Sequence, residues 1–180
     1  MHESKIVIVP DYGGVGPRHW LGHWRSNHPH AMRFAEHDPS ELSCREWLRG
    51  IDDAVAASGP HTSLVAQGLG CLAVAHWARV SQRRVEAAML VSVPDPSRNR
   101  LPKNASGFCP APRSVLPFRT LVVASETDGD YTHALERANE WDATMVVVGC
   151  ISHDTDPRAR QTWDEGLSLL WNLVSPAVFL

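Results

Sequence analysis

The sequence is sparing with the residues on which the simplest alternatives to a buried α/β core depend. Its four cysteines, Cys44, Cys71, Cys109 and Cys150, are scattered through 180 residues with no C-x-x-C pairing. That pattern excludes a disulfide framework and a zinc knuckle and leaves free thiols. Charge of either sign is not concentrated: 17 Lys+Arg against 20 Asp+Glu leave a formal charge of -3. With no basic block to track phosphates, nucleic acid is not an expected partner. Long apolar runs are missing too. A membrane span needs about 20 apolar residues, and the first run, Ile6 to Val9, is far shorter. Residues Met1 to Lys5 carry no signal-peptide pattern, so the expectation is a cytoplasmic chain with no membrane partner. Internal repeats and low-complexity segments are absent from the sequence as well.

What the sequence does contain is a series of short apolar runs without alternation: Ile6 to Val9, Ser63 to Ala66, Ala87 to Val93, Thr120 to Ala124 and Thr144 to Val148. Such runs suit strands buried on both faces. Between them lie stretches with helical apolar spacing: Trp47, Leu48, Ile51, Ala54 and Val55; Leu72, Val74, Ala75 and Ala78; and Trp163, Leu167, Leu170, Trp171 and Val174. With a weaker strand at Met32 to Ala35, six strands alternate with helices along the chain. This predicts one α/β domain over residues 1–180, a doubly wound parallel sheet in three layers. The long Pro-rich stretch from Pro94 to Pro117 reads as a loop over the mouth of a site.

The segment from Ser63 to Trp77 reads as strand, sharp turn and helix, with Ala66 and Gly70 at minus two and plus two from Gly68. This is the spacing of a nucleophile elbow, whose central residue is normally serine. Gly68 has no hydroxyl and cannot form an acyl-enzyme. An ordinary glycine-rich turn fits the segment equally well. Two further residues follow strand ends: Asp128 after Thr120 to Ala124, and His153 after Thr144 to Val148. Taken singly, Asp128 also fits a helix cap and His153 a plain loop histidine. Together the order is nucleophile position, acid, histidine, the order of the α/β-hydrolase triad. After the first strand comes Pro10-Asp11-Tyr12-Gly13-Gly14-Val15-Gly16-Pro17, whose glycines allow backbone amides to approach a ligand. The backbone amides of Tyr12 and Leu69 are the expected oxyanion hole. A phosphate loop is excluded because no Gly-Lys-Ser/Thr follows.

On these residues the chain resembles the YdeN-like family of small serine hydrolases to which retinoblastoma-binding protein 9 belongs. The resemblance rests on Ile6 to Pro10 with Gly13-Gly14 and the following His19-Trp20 and Trp24, on Val65-Ala66 with Leu69-Gly70-Cys71, on Val122 to Ser125 before Asp128, and on His153. It implies an α/β-hydrolase fold, esterase-like chemistry on a small acyl or ester-like ligand, and a triad in which Asp128 is the acid and His153 the base. The family's His-Ser-Leu-Gly turn reads Gln67-Gly68-Leu69-Gly70 here, Gly129 follows Asp128 where proline is usual, and Asp154 follows His153. Two classes of function follow: a degenerate hydrolase, or a non-catalytic ligand-binding or interaction module on the same fold. In the first, Gly68→Ser is expected to restore esterase activity at a cost of about 1 kcal/mol in stability.

Three other patterns lead elsewhere. Cys71, three positions beyond the elbow centre, is the nearest thiol but is expected to face away from its tip. His19 and His23 stand four apart, yet no Glu or Cys accompanies them in a zincin pattern, so neither a metal nor any other cofactor is expected. Leu42-Ser43-Cys44-Arg45-Glu46 matches the Leu-x-Cys-x-Glu peptide that pocket proteins recognise, but Ser43 and Glu46 also have capping-box spacing at a helix start.

Overall fold

The computed structural model describes residues 4–16, 18–38, 40–98, 101–149 and 162–175. Along these the chain runs β1 (Lys5–Val9), α1 (Trp20–Asn27), β2 (Met32–Phe34), α2 (Cys44–Ser58), β3 (Thr62–Gln67), α3 (Leu69–Val80), β4 (Ala87–Val91), β5 (Arg119–Ser125), α4 (Tyr131–Glu140), β6 (Thr144–Val148) and α5 (Asp164–Val174). The six strands form one sheet in the order β2-β1-β3-β4-β5-β6, every neighbouring pair parallel. This is the predicted fold class, with strand ends moved by one or two residues.

Period-two alternation within the buried strands explains why helices cover both faces. Val7, Val9, Leu64, Ala66, Ala88 and Leu90 pack toward α2, α3 and α4. Ile6, Ile8, Val65, Met89, Val91 and Val123 pack toward α1 and α5. Since both sets are apolar, each central strand reads as an unbroken run rather than an alternating one. Burying one such side chain is worth about 1.5–3 kcal/mol. On the α1/α5 face three indoles form the largest cluster: the Trp20 ring lies 4.5 Å from Trp24 and 4.7 Å from Trp163, edge to face. The Trp24 Nε1–H donates to the Thr162 carbonyl at 2.7 Å. These contacts moor the start of α5 to α1.

The chain passes from β2 over β1 to β3, so its winding reverses between β1 and β3. In open α/β sheets the crevice beyond the carboxyl ends of the strands at such a reversal is where ligands bind. The loops leaving β1 and β3 are the ones carrying Asp11 and Gly68.

Two local expectations change. Ser43 is the N-cap of α2, but its side chain makes no capping hydrogen bond, and the Glu46 carboxylate pairs with Arg49 instead of reaching back. The backbone holds this helix start: Ser43 bridges Ser106, and the Cys44 N–H donates to the Ser106 carbonyl at 2.8 Å. The loop after β4 accordingly divides its contacts. Near its start, Arg98 donates to the Gly129 carbonyl at 2.7 Å, beside Asp128, whereas its middle is tied to α2 and packs Phe108 on Trp47.

Candidate active site

The turn between β3 and α3 is as sharp as the sequence implies. Gly68 is the N-cap of α3 with φ 54° and ψ -126°, and a single residue separates the strand from the helix. This positive φ is where a non-glycine residue stores about 1–3 kcal/mol of strain. The turn is held by the Gly68 N–H, which donates to the Val91 carbonyl at 3.0 Å, and by the Cys71 N–H, which donates to the Gly68 carbonyl at 2.9 Å. Gly70 brings the first turn of α3 against the end of β1: a Cβ there would lie 2.3 Å from the Val9 carbonyl oxygen.

The amides of Tyr12 and Leu69 do converge, and what they converge on is the chain's own carboxylate. Asp11 Oδ1 accepts from the Leu69 N–H at 2.9 Å and from the Tyr12 N–H at 2.8 Å. The same carboxylate covers the elbow. A Cβ on Gly68 would stand 2.3 Å from Asp11 Cγ, 2.4 Å from Oδ2 and 2.6 Å from Oδ1. A serine at this position therefore cannot enter unless Asp11 moves, an obstacle the sequence-based expectation for Gly68→Ser did not contain. Asp11 was missed because an acid in a glycine-rich loop reads as a turn former. The available signal was its position, immediately before the residue expected to offer an oxyanion-hole amide.

Asp128 sits in the turn between β5 and α4. Its Oδ2 accepts from the Ser125 N–H and from the Ser92 hydroxyl, each at 3.2 Å. Among the described residues its Oδ1 has no donor, which leaves one carboxylate oxygen for a histidine. Asp128 is not the cap of α4; that position is Asp130. Ser92 is a second residue the sequence did not single out. It stands just past β4 at φ 53°, a conformation rare for serine, and its N–H donates to the Val123 carbonyl at 2.9 Å. Together with Val93, Ala124, Tyr131 and Ala134, Ser92 and Asp128 line a cleft of about 190 Å³. The larger groove, about 940 Å³ between α2 and α3, contains none of the predicted site residues.

His153 lies outside the described residues. On the β6 side, the segment that carries it begins after Gly149, whose carbonyl accepts from the Ser125 hydroxyl at 3.2 Å.

Cys71 cannot stand in for the missing hydroxyl. Its side chain is fully buried, its Sγ–H donates to the Val91 carbonyl at 3.3 Å, and burial together with the Asp11 carboxylate pushes the thiol well above its ordinary pKa. A thiol held protonated is a poor nucleophile. His19 and His23 have local partners: His19 Nδ1 accepts from the Leu21 N–H at 3.2 Å, and His23 lies 2.8 Å from the Asn27 amide.

Comparison with known proteins places this geometry. The serine hydrolase family model matches residues 6–172. The structure resembles that of a YdeN-like hydrolase from Pectobacterium atrosepticum, at 24% identity over 96% of this chain and 91% of the other, with a TM-score of 0.79. The ydeN gene product of B. subtilis is 19% identical over 96% and 99% of the two chains, with a TM-score of 0.72. The mouse α/β hydrolase domain-containing protein 10 is 15% identical over 92% and 86%, with a TM-score of 0.64. No curated protein matches the sequence. A parallel six-stranded sheet, an elbow after its third strand and a match running through nearly the whole chain make this protein a member of the serine hydrolase family, built on the α/β-hydrolase fold.

Proposed function

We propose that this chain is a serine hydrolase family member that has left the covalent serine route. Gly68 at the apex of the elbow is the observation that carries this reading, because no acyl-enzyme forms at a residue with no side-chain oxygen. The ligand class is a small acyl or ester-like molecule, and the protein works in the cytoplasm without nucleic acid, membrane or metal. Asp128 is the acid that orients His153. With water as the nucleophile these two support at most a remnant of the ordinary rate. The carboxylate across the elbow favours retention of a ligand-binding role over turnover.

Incubation with a serine-directed fluorophosphonate tests the reading. The protein is expected to remain unlabelled and to show only trace hydrolysis of short-chain p-nitrophenyl esters. Robust labelling mapped to a serine elsewhere in the chain, surviving Cys71→Ala, would overturn it.

A further inference from the structure

We propose that Asp11 and Gly68 form one device: Asp11 is the elbow's own ligand, closing the oxyanion hole with its carboxylate, and Gly68 is the residue that leaves room for it. This rests on the reading that the serine route is gone and adds what now occupies its place.

Three observations converge on the pair. The two N–H groups that would hold the carbonyl oxygen of a bound acyl group are both spent on Asp11 Oδ1, at 2.8 and 2.9 Å. Asp11 Cγ stands 2.3 Å from where a Cβ of residue 68 would be, so no side chain at 68 can coexist with the carboxylate in this position. The Asp11 carbonyl in turn accepts from the Gly14 N–H at 2.9 Å, so the loop is folded about the residue it presents.

The carboxylate is trigonal and anionic, and one of its oxygens lies where a substrate oxygen would develop charge. In shape and charge it reproduces the acid that ester hydrolysis leaves in such a site. An incoming acyl group must therefore displace an anion held by two charge-assisted hydrogen bonds, one of them from the N-terminal turn of α3. The two departures from a serine elbow are distant in sequence but share one volume. They are one change, and the two positions should be energetically coupled.

The experiment uses the full chain as wild type, Asp11→Ala, Gly68→Ser and the double variant. In a titration with sodium acetate followed by 1H–15N correlation spectra, the Leu69 and Tyr12 amides should not respond in the wild type. In Asp11→Ala they should shift saturably as acetate takes the vacated place. In thermal unfolding, Gly68→Ser alone should lower Tm by on the order of 5 °C, since it adds both a collision and a strained φ. The double variant should recover at least half of that loss. If Asp11→Ala does not fold, Asp11→Ser, whose shorter side chain also vacates the position, takes its place in both measurements. Additive Tm changes, or Leu69 and Tyr12 amides that answer acetate equally in wild type and variant or in neither, would refute the proposal. Neither readout depends on turnover. Fluorophosphonate labelling of the wild type would therefore overturn the functional reading while leaving this test to be judged separately.

Discussion

At the scale of single residues, two glycines two positions apart serve the same elbow for different reasons. Gly68 supplies a positive φ and leaves room for a side chain that can swing away. Gly70 leaves room for main chain: a Cβ would meet the Val9 carbonyl oxygen at 2.3 Å and that of Pro10 at 2.8 Å. Backbone in a central strand has nowhere to go. Gly70→Ala is accordingly expected to destabilise by about 1–3 kcal/mol, the usual cost of overpacking. In urea this appears as a lower midpoint at unchanged slope. A midpoint equal to that of the wild type would show that α3 can lift off β1 freely.

Among elements, α2 and α3 are joined by a polar clamp rather than by apolar contact alone. The Asp52 carboxylate on α2 accepts from the Trp77 Nε1–H at 3.1 Å and the Ser81 hydroxyl at 2.7 Å, both from the end of α3. It also accepts from the Arg83 guanidinium at 2.9 Å. Burial works against the ionised form, yet the bonds from Ser81, Arg83 and Trp77 hold the carboxyl below its usual pKa. Asp52→Ala strands the indole N–H of a buried tryptophan and removes the acceptor for two further donors. The expected loss is about 1–3 kcal/mol by chemical denaturation. Asp52→Asn keeps one acceptor oxygen and should lose less; equal losses in the two variants would mean that charge, not bonding, fastens the helices.

For the whole molecule, the common feature of three histidines is a depressed pKa. His37, His76 and His133 each sit below the ordinary imidazole value, in every case chiefly because burial disfavours the charged ring. At His133 burial prevails over the nearby Asp95 carboxylate, 3.7 Å away, and over Glu136 and Asp130, while Arg137 adds to the depression. The unfolded chain therefore takes up protons first as pH falls through about 6.5, where free histidine titrates. With more protons bound in the unfolded state, stability falls together with pH across that window, and the decline stops once the folded rings titrate too. At constant ionic strength, Tm should be lower at pH 5.5 than at pH 7.5, and His133→Gln should reduce the difference. A flat profile, or a Tm that rises toward pH 5.5, would show that these rings are charged in the folded state.

The sheet was legible in the sequence because strands buried on both faces must be apolar at every position, and each such run became a strand. The elbow was legible for a similar reason: a strand that turns into a helix within one residue needs small neighbours, which Ala66, Gly68 and Gly70 supply. The missing hydroxyl needed no structure at all. What occupies the hydroxyl's place was decided only by the tertiary fold. Asp11 and Gly68 become neighbours because parallel pairing of β1 with β3 sets the ends of both strands side by side. Nothing local to either loop marks that neighbourhood. The same pairing that aims the Tyr12 and Leu69 amides at one point also delivers a carboxylate to it, and a charge so placed is held by the donors that would otherwise have served a substrate.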